Sequence, residues 1–100
     1  MKIIFLGDSI TEGVGASSEE NRYVNKVAEI CGAETENFGV SGTRIARQKT
    51  PTIYKTFDYD FQMRSEVMSK DADMVFVFGG TNDYGHGDAP IGCENDDSPY

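Results

Sequence analysis

One hundred residues set an upper limit of one domain, and a chain of that length buries roughly two-thirds of its unfolded surface, enough for a modest core. The 38% hydrophobic share gives no sign of wholesale disorder, and a net charge of -8 leaves no basic stripe for nucleic acid or an anionic membrane surface. No apolar run is long enough for a signal peptide or a spanning helix, so a cytoplasmic setting is the default expectation. Cys31 and Cys93 form neither a metal-type spacing nor a disulfide framework.

Residues 2–6 read as a short buried strand, Ile3-Ile4-Phe5-Leu6 being its apolar run. Ser17 and Glu20 have the spacing of a capping box. Behind them Val24, Val27, Ala28 and Cys31 share one helical face, with Cys31 expected as a buried thiol, and Gly32 supplies a stop. Residues 34–38 read as a second strand in which Glu34 and Glu36 alternate with Thr35 and Asn37. Asp60 caps a predicted helix over 61–69, where Phe61, Arg64, Ser65 and Met68 share a face. Met74-Val75-Phe76-Val77-Phe78 is the clearest strand, continuous in β-branched and aromatic residues as a strand covered on both faces is. Strand, helix, strand, helix, strand argues for a parallel sheet with helices on its faces. The 22 residues of 39–60 are turn-rich and polar, and loops that long are uncommon unless functional. The stretch from Gly79 to Tyr100 has no periodicity, and the chain is expected to break off in a surface loop after its third strand.

Each strand is followed by a small polar cluster. Gly7-Asp8-Ser9 follows the first, Asn37-Phe38-Gly39-Val40-Ser41-Gly42 the second, and Gly79-Gly80-Thr81-Asn82-Asp83 the third. A parallel sheet gathers all three at the carboxyl edge, where ligands bind in open α/β folds. The set is a serine hydroxyl, a glycine with a free backbone N–H and an asparagine carboxamide. Acyl transfer needs such a set: a nucleophile, and donors aimed where negative charge develops on the carbonyl oxygen.

In order and spacing, Gly7-Asp8-Ser9, Ser41-Gly42 and Gly80-Thr81-Asn82-Asp83 resemble the first three sequence blocks of the SGNH hydrolases, also called the GDSL esterase/lipase family. The resemblance spans the whole chain. It implies a three-layer α/β/α, flavodoxin-like parallel sheet without a cofactor, of which residues 1–100 form the amino-terminal part. It implies Ser9 as nucleophile, with the Ser9 and Gly42 backbone N–H groups and the Asn82 side chain as oxyanion hole. The family's fourth block, an Asp-x-x-His near the carboxyl end, is not found at its place. Asp83-Tyr84-Gly85-His86 has that spacing, but it abuts the asparagine block, whereas the family's pair lies far downstream after more sheet. His86 is therefore read as a loop or pocket-rim residue, with Tyr84 beside it.

The leading expectation is a serine hydrolase of carboxylic esters, an acyl ester or an acetylated carbohydrate, nearly inactive as these 100 residues alone because the general base is missing. One alternative is a non-catalytic domain that binds an ester or sugar on the same fold. Another is a flavodoxin-like nucleotide binder, which lacks a P-loop lysine and a dinucleotide fingerprint. Asp8 is expected to fix its loop, Gly39 to serve a turn, and Arg44 and Arg47 to be solvated. Asp88, Glu94, Asp96 and Asp97 lack calcium-loop spacing. A third strand without covering helices is expected to expose an apolar patch and to promote self-association.

Overall fold

The computed structural model describes residues 1–50, 52 and 58–89. Its elements run β1 (Lys2–Gly7), α1 (Ser9–Glu12), α2 (Tyr23–Cys31), β2 (Glu34–Gly39), α3 (Phe61–Ser65), β3 (Met74–Phe78) and α4 (Thr81–His86). A 3-10 turn over Glu19–Asn21 precedes α2. The strands form one parallel sheet in the order β2-β1-β3, the α/β arrangement that the alternation of strands and helices predicts.

β1 lies in the middle, and its residues are buried on both faces. Ile3 and Phe5 pack with Val24 of α2, and Tyr23, Val27 and Ala33 close around them. Ile4 and Leu6 point the opposite way by strand alternation and are buried as well. Each such side chain contributes about 1.5–3 kcal/mol when fully removed from water. The rings of Tyr23 and Phe76 both lie 5.7 Å from that of Phe5, and Tyr23 also meets Phe78. Aromatic contact thus ties α2 to β1 and β3 on one face.

Several expectations change. Cys31 is exposed: the apolar cluster takes Tyr23, Val24 and Val27 from α2, and Cys31 lies outside it at the last helical position. The Ser17–Glu20 capping box does not form: Ser17 Oγ, ahead of the 3-10 turn, accepts from the Asn21 side-chain amide at 2.6 Å, and α2 begins at Tyr23 without a side-chain cap. Asp60 does cap α3, its carboxylate accepting from Met63 N at 2.7 Å. That helix ends at Ser65, where the chain tightens into bonds from Val67 N to Arg64 O and from Met68 N to Ser65 O. Gly80 to His86, read as aperiodic, holds the helix α4 behind a left-handed Gly80 at φ 111°. β3 has the expected bounds, but its five residues are 42–55% exposed instead of covered. It pairs with β1 along one edge, and among the described residues nothing covers the Val75 and Val77 side, so the expected apolar patch is present. Residues 90–100, with Cys93, Glu94, Asp96 and Asp97, lie outside the described residues.

At the amino end of the sheet, Lys2 joins the three strands. Its Nζ lies 2.9 Å from Glu36 on β2 and 3.0 Å from Asp71 ahead of β3, and its backbone N–H donates to Asp73 at 2.8 Å. Hydrogen bonds to Glu36 and then Asp71 push the Lys2 ammonium above its ordinary value. Ser69 first, then Lys2, holds the Asp71 carboxyl below the usual range.

Two outcomes follow. Ile4→Ala lowers the unfolding free energy by about 2–5 kcal/mol through lost burial and an unfilled cavity, whereas Ile30→Ala at an exposed helical position changes it by less than about 0.5 kcal/mol; urea midpoints read both. Because the folded state lowers the Asp71 pKa, its stabilising contribution is complete above the unfolded carboxylate value near 3.9 and is lost as pH falls through the lower folded value. Asp71→Asn is therefore destabilising at neutral pH, and the gap to the parent protein narrows as pH falls below the unfolded carboxylate value in pH-dependent thermal unfolding.

Candidate active site

The three polar clusters start at one level because the strand register is shared. Gly7 is opposite Gly39 on one side and opposite Phe78 on the other. The chain therefore leaves β1, β2 and β3 side by side at the carboxyl edge, carrying Ser9, Gly42 and Asn82 with it.

Asp8 caps α1, its Oδ1 accepting from Ile10 N at 3.0 Å, which places Ser9 at the first helical position. Asp8 thus has the loop-fixing role expected of it. A first-position N–H has no acceptor within its own helix, so the Ser9 N–H stays free of the helical ladder. Its carbonyl accepts from Gly13 N and Val14 N, which closes the short helix at a left-handed Gly13.

Gly42 sits in the turn after β2 at φ 77°, a left-handed conformation that costs a side-chain-bearing residue roughly 1–2 kcal/mol. The turn is held from both sides. The Glu12 carboxylate on α1 accepts from Ser41 N at 2.9 Å and from Ser41 Oγ. Thr43 Oγ1 donates to Val40 O at 2.7 Å, and Val40 N donates to Gly7 O at 3.1 Å. Gly39 serves more than a turn: a Cβ there would lie 2.2 Å from the Glu12 backbone nitrogen, so its bareness lets α1 lie directly on the end of β2.

Asn82 lies in the first turn of α4. Its Nδ2 donates to Thr43 O at 3.0 Å, one residue from Gly42. A carboxamide nitrogen carries two N–H bonds, so one hydrogen orients the group and the second is available to a ligand. Asp83 next to it is not paired with His86 in a catalytic manner. Its Oδ1 accepts from Ile45 N at 2.9 Å and its Oδ2 from Ala46 N at 3.1 Å, which pins the loop after β2 to α4. Tyr84 is 97% exposed, and His86 is exposed too, with its backbone carbonyl held by Arg44.

Arg44 is buried, contrary to the solvated position expected of it. It reaches inward to donate to His86 O at 3.1 Å and Asp58 Oδ1 at 3.3 Å. Arg64 is a second buried arginine under this edge. It donates to Tyr59 O and Gly7 O, to Thr43 Oγ1 and to Phe38 O. Burial pushes its guanidinium below the usual arginine value, and the Asp60 and Asp8 carboxylates pull it back up. The sequence signal for Arg64 was its place on the same helical face as Phe61, a charge on an inward-facing stripe. For Glu12 and Thr43 no pattern in the sequence marked them out. Together these groups make a carboxyl edge with a hydroxyl, a left-handed glycine turn and an oriented amide, which suits stabilisation of an oxyanion.

The sequence matches the model of the GDSL-like lipase/acylhydrolase family over residues 5–97. A crystal structure of a protein from Lactobacillus plantarum is 33% identical, with a TM-score of 0.69, over 95% of this chain and 40% of that one. A second crystal structure is 30% identical, with a TM-score of 0.64, over 83% of this chain and 37% of that one. A carbohydrate acetylesterase family member from Sinorhizobium meliloti shares the fold at 17% identity, with a TM-score of 0.61, over 82% of this chain and 42% of that one. The chain thus spans about two-fifths of the length of these solved relatives. No curated protein matches it.

The close contact at Gly39 is measurable. Gly39→Ala forces α1 away from β2 and lowers stability by about 1–3 kcal/mol. Gly85→Ala, on α4 where the added methyl meets nothing, stabilises by about 0.4–1 kcal/mol. Opposite shifts of the thermal midpoint are the expected result.

Proposed function

We propose a function from one premise: the chain belongs to the GDSL-like lipase/acylhydrolase family. The reaction is hydrolysis of a carboxylic ester, an acyl ester or an acetylated carbohydrate, through an acyl-enzyme on Ser9. The observation that carries this reading is the common register of Gly7, Gly39 and Phe78, which brings Ser9, Gly42 and Asn82 out at one edge of the sheet.

Ser9 Oγ attacks the ester carbonyl carbon and gives its proton to a general base. The carbonyl oxygen becomes an oxyanion, held by the Ser9 and Gly42 backbone N–H groups and the second N–H of Asn82. Collapse expels the alcohol, which takes up the proton from the base and leaves the acyl group on Ser9. Water then attacks the acyl-serine, passing a proton to the same base, and the acid leaves with Ser9 restored. The donors are fixed before the ester arrives: Thr43 orients Asn82, and Glu12 holds the Ser41-Gly42 turn. Preorganised donors avoid the cost of reorienting dipoles as charge develops.

His86 is not assigned as the general base of this reaction. His86 is the one histidine in the sequence, and Asp83, at the spacing where an orienting acid would stand, spends both carboxylate oxygens on Ile45 and Ala46. A base without its orienting partner is a poor substitute for a triad.

Hydrolysis of 4-nitrophenyl acetate tests the reading. The 100-residue chain is expected to show slow, Ser9-dependent turnover, well below the ~10 s⁻¹ typical of enzymes. Ser9→Ala removes it, Asn82→Ala lowers it by about 10²–10³-fold, and His86→Ala leaves it unchanged. Full turnover by Ser9→Ala sinks the nucleophile assignment, and loss of turnover in His86→Ala sinks the exclusion of His86 as base.

A further inference from the structure

We propose that Arg64 is the positioning residue of this site: one guanidinium holds the Gly7 and Phe38 carbonyls and the Thr43 hydroxyl together, and so sets Ser9 against the oxyanion donors. The inference rests on the reading of Ser9, Gly42 and Asn82 as the reacting edge, and names the group that fixes their mutual geometry.

Arg64 is 8% exposed, on α3, at the carboxyl edge of the sheet. Its Nη2 donates to Gly7 O at 3.1 Å and to Thr43 Oγ1 at 2.8 Å, its Nη1 to Phe38 O, and its Nε to Tyr59 O at 3.0 Å. Gly7 ends β1, two residues before Ser9. Phe38 lies in the last turn of pleat before the loop to Gly42. Thr43 follows Gly42 and is the junction of the network: its hydroxyl accepts from Arg64 and donates to Val40 O, and its carbonyl accepts from Asn82. The clusters after β1 and β2 are thereby held directly by one planar cation, and the cluster after β3 is joined to it through Thr43.

The chemistry of the side chain explains the choice. The acceptors are neutral, two strand-end carbonyls, a loop carbonyl and a hydroxyl, so this is not an ion pair in its hydrogen bonding. Desolvating a cation for neutral partners is costly, and Asp60 and Asp8 offset it only through space. An apolar residue beside Phe61 would pack the same face without that cost but would strand the acceptors. A lysine offers a point charge on a flexible stem and cannot span them, whereas the guanidinium fork presents five donors in a fixed plane. Four of the five positions are met here, three by Gly7 O, Phe38 O and Thr43 Oγ1 beside the reacting edge and one by Tyr59 O ahead of α3.

The test separates positioning from stability. Thermal midpoints are measured for Arg64→Lys, Thr43→Val and Ile4→Ala, together with the maximal rate and half-saturating concentration for 4-nitrophenyl acetate; Ser9→Ala is the reference for Ser9-dependent turnover. Arg64→Lys is expected to cut the maximal rate by about 10- to 100-fold, the scale of a misplacement near 1 Å, while the half-saturating concentration stays within about twofold. Thr43→Val, which breaks the link between Arg64 and the glycine turn but keeps the side-chain shape, is expected to fall in the same direction. Ile4→Ala destabilises the core away from the edge and keeps its rate within about threefold below its midpoint. If Arg64→Lys and Thr43→Val lose no more rate than Ile4→Ala, the positioning role is overturned. If Arg64→Lys does not fold, Thr43→Val decides alone. Ser9→Ala with undiminished turnover fails the ester-hydrolase reading itself and takes the positioning role with it.

Discussion

The parallel pairing of β1 with both β2 and β3 fixes where each candidate site residue emerges. Because Gly7, Gly39 and Phe78 stand abreast, the residues that follow them leave the sheet together, and a shift of one strand by one residue would put a side chain on the wrong face and a loop at the wrong height. The register is held by burial. β1 is apolar on both faces, and the ring contacts of Phe5 with Tyr23 and Phe76 reach across α2 and β3. Glycines at the strand ends then let the loops close tightly. A Cβ at Gly7 would strike the Thr11 hydroxyl, and one at Gly39 the backbone of Glu12.

Each end of the sheet is gathered by one cation, and the two work under different physics. Lys2 at the amino end pairs with carboxylates at a partly exposed surface, where water and salt weaken the attraction. Arg64 at the carboxyl end is enclosed and bonds to neutral acceptors. Buried acceptors left without a donor cost about 1–3 kcal/mol each, so its hydrogen bonds are hard to exchange for other arrangements. The flexible, screened clamp lies away from the candidate site, and the rigid one lies beneath it. That distribution suits the proposed role of this edge, in which donors are held still while charge appears on a substrate oxygen.

The carboxyl edge also contains polar atoms that the fold does not fully satisfy. Asp8 Oδ2 and Arg44 Nε are buried and have no partner among the described residues. Both belong to loops that frame the site, Asp8 directly before Ser9 and Arg44 two residues after Gly42. Unmet polar atoms concentrate where a fold accepts local cost for a chemical arrangement, and here they flank the serine and the glycine turn.

The sequence by itself determined the strands, their parallel arrangement and the candidate trio. Apolar runs ending in Gly-Asp-Ser, Ser-Gly and Gly-Thr-Asn-Asp carry their meaning locally, because burial of a strand and the turn that follows it are set by neighbouring residues. Asp60 was legible as a cap for the same reason. What only the tertiary structure decided depends on residues far apart in the chain. Arg64 reads as one charge on a helical stripe until Gly7, 57 residues away, and Thr43, 21 away, arrive at its guanidinium. Arg44 and Asp83 look like solvated loop residues until each meets a loop or helix about 40 positions distant. The exposure of Cys31 was equally out of reach, since periodicity says which side chains share a face but not whether anything lies against it. Helical and strand patterns encode orientation; burial and hydrogen-bond partnership are properties of the assembled layers.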